Sequence, residues 1–132
     1  MNEFLDASVL LRYLLADLPT QTERARRLID GGTPLLVTET VLLETAFTLT
    51  KFYKVPREQA VDTLIAFLQK RNLSVYHYSK TTIIAALLLC RPSGRVSFGD
   101  AFLWAAGYAA IPSVIYSFDQ RFPSEEIDLR EP

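Results

Sequence analysis

Apolar and polar positions divide the chain into short apolar runs separated by longer stretches of helical spacing. Glu3 to Leu5 reads as a short strand that stops at Asp6-Ala7-Ser8, and Val9 to Leu15 follows with helical spacing. Thr20-Gln21-Thr22-Glu23 has the form of a capping box. It predicts a helix through Ile29 that buries Ala25, Leu28 and Ile29 and ends at Gly31-Gly32. Pro34 to Thr38 reads as a strand and Glu39 to Lys54 as one long helix. Pro56 is expected at the first position of the next helix, where its missing N–H costs nothing. Ala60, Val61, Leu64, Ile65 and Leu68 give that helix one apolar stripe. Leu73 to Tyr76 alternates like a strand, and Ser79 to Leu89 is an apolar helix closed by Arg91-Pro92-Ser93-Gly94. Ser97 to Ala110 is a further helix and Ser113 to Tyr116 a further strand, while Ile127 to Leu129 is expected to pair weakly. Strands separated by long helical stretches suit right-handed crossovers in a parallel sheet. The fold class expected is α/β: one domain over residues 1–132, with a short, mostly parallel sheet flanked by helices on both faces.

Length and composition narrow this picture. At 132 residues the chain has room for one domain, and 49% hydrophobic against 22% charged residues excludes global disorder. A single cysteine, Cys90, excludes an intramolecular disulfide framework and fits a reducing compartment. The formal net charge is −1, so a nucleic-acid partner must be held by local basic patches or bound cations. Met1-Asn2-Glu3-Phe4 opens no signal peptide. The eighteen residues between Asp100 and Asp119 carry no charge and reach the length of a membrane-spanning candidate. Gly107 and Ile111-Pro112-Ser113 interrupt them, so a buried helix followed by a buried strand is the better reading. A cytoplasmic protein with no membrane partner is expected.

The informative residues are acids in apolar company. Asp6 and Asp119 each follow an apolar run and are expected at carboxyl ends of strands, the edge where open parallel sheets bind ligands. Glu44 lies within Val41-Leu42-Leu43-Glu44-Thr45-Ala46-Phe47, and Asp100 opens an uncharged helix. Each has an ordinary structural explanation: Asp6 as a helix cap, Asp100 with Ser97 as a capping pair, Asp119 as a turn residue. Glu44 is the hardest to dismiss, because a buried, unpaired carboxylate costs several kcal/mol. If the fold gathers these four acids, their repulsion calls for a divalent cation with oxygen ligands.

Four segments together carry a resemblance. Phe4-Leu5-Asp6-Ala7-Ser8-Val9-Leu10-Leu11-Arg12, Val41-Leu42-Leu43-Glu44, Ser97-Phe98-Gly99-Asp100-Ala101 and Tyr116-Ser117-Phe118-Asp119-Gln120-Arg121-Phe122 occur in the order found in PIN-domain ribonucleases. Within that family the chain resembles the VapC-type toxins of toxin–antitoxin pairs. No single segment is specific; the order and spacing of all four are. The resemblance implies an Mg²⁺- or Mn²⁺-dependent endoribonuclease whose acidic cluster is Asp6, Glu44, Asp100 and Asp119. It also implies a homodimer and a cognate antitoxin that covers the acidic pocket. Two positions depart from the family pattern: Ser97 stands where another acid is frequent, and Ala7-Ser8 stands where Thr-Asn is usual.

On this reading Asp6 binds the metal directly, Asp100 and Asp119 bind it directly or through water, and Glu44 positions or deprotonates the attacking water. Ser8 and Ser117 are candidates to hold the carboxylates or the scissile phosphate, and Ser97 replaces an outer acid. Arg12 is the first candidate for holding RNA, followed by the patch Arg24, Arg26 and Arg27 and by Lys51 and Lys54, all of which equally suit a solvated helix face. His77, between Tyr76 and Tyr78, reads as structural, and Phe102, Trp104 and Tyr108 as core or dimer surface. Two other function classes compete. One is a catalytically degenerate PIN-like module that binds RNA or protein. The other is a phospho-acceptor receiver domain, disfavoured because Asp6 stands alone after its strand and no lysine closes the last one.

Overall fold

The computed structural model describes residues 1–132. Its helices are α1 (Ala7–Leu15), α2 (Pro19–Ile29), α3 (Glu39–Phe47), α4 (Arg57–Leu68), α5 (Lys80–Cys90) and α6 (Phe98–Ala109). Its strands are β1 (Leu35–Val37), β2 (Leu73–Val75), β3 (Val114–Tyr116) and β4 (Asp128–Arg130). The α/β class and the parallel pairing are as expected.

The strands are short, and they form two parallel pairs, β1 with β2 and β3 with β4. The expected first strand contributes a single parallel bridge, Phe4 to Leu36, held by Leu5 N–H to the Leu36 carbonyl at 2.9 Å and Leu36 N–H to the Glu3 carbonyl at 2.8 Å. Helix α1 begins at Ala7, which leaves no further residues to extend the pairing. The weak tail strand does form, as β4.

Burial alternates along the strands. Leu5, Leu35, Val37, Leu73 and Val75 are buried, while Phe4, Ser74 and Tyr76 face solvent. The buried side joins a single core with Leu42 of α3, Leu64 and Leu68 of α4, Ile83 and Leu87 of α5 and Ala101 and Ala105 of α6. Truncating one of these leucines to alanine would cost about 2–5 kcal/mol, because the close-packed surroundings relax only in part.

Three local expectations are corrected. Helix α2 starts at Pro19 with Leu18 as an uncapped N-terminal residue, so Thr20 lies inside the helix and no capping box forms. The fixed φ of proline suits the first helical position and moves the start upstream. Glu23 instead pairs with Arg27 at 3.2 Å, and Leu28 is 40% exposed rather than core. The long helix ends as α3 at Phe47 and continues as a π-helical turn, Thr48–Phe52. The Thr50 hydroxyl donates to the Ala46 carbonyl at 2.9 Å, a side-chain bond that competes with the regular ladder. Pro56 precedes α4 as its cap rather than opening it.

Candidate functional site

Parallel pairing sends the chain ends of Phe4-Leu5, β1 and β2 to one edge. Asp6 emerges there, immediately before α1. Its backbone is extended (φ −83°, ψ 157°), and its side chain caps the helix by accepting from Ser8 N–H at 3.3 Å. The Ser8 hydroxyl donates to the same Oδ2 at 2.6 Å. These two donors, the hydroxyl first, hold the exposed Asp6 carboxyl below its usual value, so it stays ionised. The cap explanation of Asp6 is therefore correct as far as it goes.

The other two aspartates have parallel arrangements. Ser97 caps α6, its Oγ accepting from Asp100 N–H at 3.0 Å, and Asp100 sits half-buried in the first turn. After β3, Ser117 Oγ accepts from Asp119 N–H at 3.0 Å, and Asp119 Oδ1 accepts from Arg121 N–H at 2.9 Å. Ser97 and Ser117 thus fix the backbone of the acid three or two residues on, and Ser8 fixes the carboxylate of the acid two residues before it. Glu44 corrects an expectation: it is exposed on α3, so no desolvation cost demands a partner. The apolar neighbours in sequence point to other sides of the helix, where Leu42, Thr45 and Ala46 are buried.

Helix α3 packs against both α1 and α6, which brings the helix of Glu44 between the two helices whose starts carry Asp6 and Asp100. Asp119 follows β3, the strand packed on α6. Nowhere, however, do three or more His, Cys, Asp or Glu side chains converge closely enough to hold a metal ion.

A family comparison decides how this edge is read. The model of the PIN domain family matches residues 4–124. The chain belongs to the PIN-domain family. PIN domains are generally nucleases, of the hydrolase class, and typically use divalent metals. No curated protein and no solved structure matches the chain.

The donors of this PIN domain suit a hard divalent ion in chemistry: they are carboxylate oxygens, those of Asp6, Glu44 and Asp119 exposed and that of Asp100 half-buried. They form no closed cage. Mg²⁺ retains several waters and is usually held by only one or two carboxylates, so it does not demand a three-carboxylate cluster.

Arg12, first choice for RNA binding, is already engaged. Its NH1 pairs with Asp17 at 3.1 Å and its NH2 donates to the Tyr53 hydroxyl at 2.9 Å. Arg26 and Arg27 both turn to Glu23. Arg57, Arg95 and Arg121 belong to none of the basic patches expected from sequence; for Arg121 the available signal is its place two residues after Asp119. No helix is long and apolar enough to cross a membrane.

Proposed function

We propose that this PIN domain is an endoribonuclease that hydrolyses RNA phosphodiesters with Mg²⁺ or Mn²⁺, as the cytoplasmic toxin of a toxin–antitoxin pair. The family match, which spans all four acids, carries the reading. Asp6, Asp100 and Asp119 would hold the ion, directly or through water, and Glu44 would position or deprotonate the attacking water. When bound, such an ion lowers the pKa of water and offsets charge on the phosphate. Ser8 keeps the Asp6 carboxylate oriented and ionised, and Ser97 and Ser117 set the backbone at Asp100 and Asp119. Exposed apolar side chains, among them Phe47, Phe52, Leu103 and Phe118, support a homodimer and an antitoxin as covering partners.

A second reading is a PIN-like module that binds RNA or protein without cutting. The absence of a three-carboxylate group favours it.

One experiment separates the two. Wild type, Asp6→Asn and Asp119→Asn are incubated with tRNA, ribosomal RNA and mRNA, with Mg²⁺, Mn²⁺ or chelator, and melted with and without metal. Asn caps about as well as Asp, so stability in chelator is expected within about 0.5 kcal/mol of wild type. Cleavage should fall at least about 100-fold, and the metal-induced rise in Tm should shrink. Chelator-insensitive or absent cleavage by wild type would overturn the nuclease reading, and undiminished cleavage in both variants would overturn the residue assignment.

A further inference from the structure

Four of the ten arginines, Arg24, Arg71, Arg95 and Arg121, make no ion pair and donate no side-chain hydrogen bond, unlike Arg12, Arg26, Arg27, Arg57, Arg91 and Arg130. Two of the four, Arg95 and Arg121, line one polar cleft of about 290 Å³. One wall is the segment that leads into α6 and Asp100; the other is the turn that follows Asp119. We infer that this cleft is a subsite for an RNA backbone phosphodiester next to the one that is cut. The inference rests on the proposed nuclease function.

Both walls are held in place before any ligand arrives. Behind the first, Arg57 NH1 donates to the carbonyls of Cys90 at 2.8 Å and Val96 at 3.3 Å, and its guanidinium lies 4.4 Å from the Phe98 ring centre. On the second, Phe122 is buried, its N–H reaches the Asp119 carbonyl at 3.0 Å, and Trp104 Nε1 donates to the Glu125 carbonyl at 2.9 Å. The Arg121 N–H to Asp119 Oδ1 bond ties the guanidinium-bearing residue directly to a candidate acid. A preset wall lowers the ordering cost of binding.

The chemistry selects the ligand. Arginine presents a planar fork of donors that matches phosphate oxygens, and the hydroxyls of Ser93 and Ser124 in the same cleft add neutral donors. Glu125 also lines it, so the cleft offers two cations against one anion. That balance suits one phosphodiester with a single negative charge and disfavours a run of acidic side chains.

The test measures steady-state cleavage and, in chelator, anisotropy of a short labelled single-stranded RNA. The full chain is compared with Arg95→Ala/Arg121→Ala, Arg95→Lys/Arg121→Lys and Arg71→Ala, which removes a free cation outside the cleft. Emptying the cleft of both guanidinium groups frees one phosphate, which should raise KM about tenfold with kcat within about threefold and should flatten the slope of log affinity against log salt by about 0.7. The lysine pair should recover part of the loss, Arg71→Ala should resemble wild type, and the metal-induced rise in Tm should not change. Unaltered KM and salt slope in the double alanine variant, or an equal loss in Arg71→Ala, would overturn the subsite. So would competition by a polyglutamate peptide as strong as by RNA of equal charge, which would move the cleft to an acidic protein partner. Arginine-dependent RNA binding without cleavage would keep the subsite and overturn the nuclease reading instead.

Discussion

The groove between α1 and α2 and the cleft beside Asp119 each border one candidate acid. Ser8, on the wall of the groove, holds Asp6; Arg121, on the wall of the cleft, holds Asp119. The groove is the larger, about 420 Å³ against about 290 Å³, and it also contains two arginines. Their states differ. Arg12 is bound to Asp17 and Tyr53, which leaves Arg24 as the free cation of the groove, whereas both arginines of the cleft are free. Size therefore ranks the two regions one way, and available charge ranks them the other. A guanidinium already paired at 3.1 Å has less attraction left for a phosphate, because moving it exposes Asp17 and strands the Tyr53 hydroxyl.

The contrast is broken most directly by removing the bound arginine at each region, Arg57 behind the cleft and Arg12 on the wall of the groove. Arg57→Ala should destabilise the fold by about 2–3 kcal/mol, since two carbonyls lose a charged donor and the Phe98 face loses its cation. Because the wall carrying Arg95 loosens, KM for RNA should rise as well. Arg12→Ala should cost about 1–2 kcal/mol through its lost partners while leaving KM close to wild type. Denaturant melts and steady-state kinetics on both variants check this, and a rise in KM for Arg12→Ala alone would reverse the ranking of the two regions.

Alkaline pH sharpens the view of the wall itself. Burial pushes the Cys90 thiol up to about 11 from an ordinary 9.0, against the pull of the Arg57 guanidinium. The unfolded thiol ionises first, so the stability from burying it neutral is fully present below pH 9 and is lost as pH rises through about 11. The loss is on the order of 2 kcal/mol at its limit. Wild-type stability should thus fall more steeply over this interval than that of Cys90→Ala, which starts lower and lacks the thiol; equal slopes would place the titration elsewhere.

The smallest effect belongs to the outer face of α2. Arg26 pairs with Glu23 at 3.9 Å, and both side chains are about half exposed. Arg26→Ala should change stability by less than about 0.5 kcal/mol and leave RNA affinity at physiological salt unchanged, measured by the same melts and anisotropy. A loss as large as that of the cleft variants would show that the α2 face carries RNA as much as the cleft does.

The chain alone determined what local periodicity and local hydrogen bonding control. Spacing of apolar positions located all six helices and the runs that pair in parallel, because a helical stripe and a short β-branched run leave distinct patterns. The serine–acid pairs at Ser8, Ser97 and Ser117 were legible too, since each closes within three residues. Tertiary structure decided what depends on residues far apart in sequence. The exposure of Glu44 depended on which side of α3 meets α1 and α6, and its apolar sequence neighbours suggested the reverse. The capture of Arg12 depended on Tyr53, 41 residues away, and the anchoring of the Cys90–Val96 wall on Arg57, 33 and 39 residues from its acceptors. A charge has the same signature in sequence whether an acid neutralises it or solvent surrounds it; the difference arises when the folded chain supplies or withholds a partner.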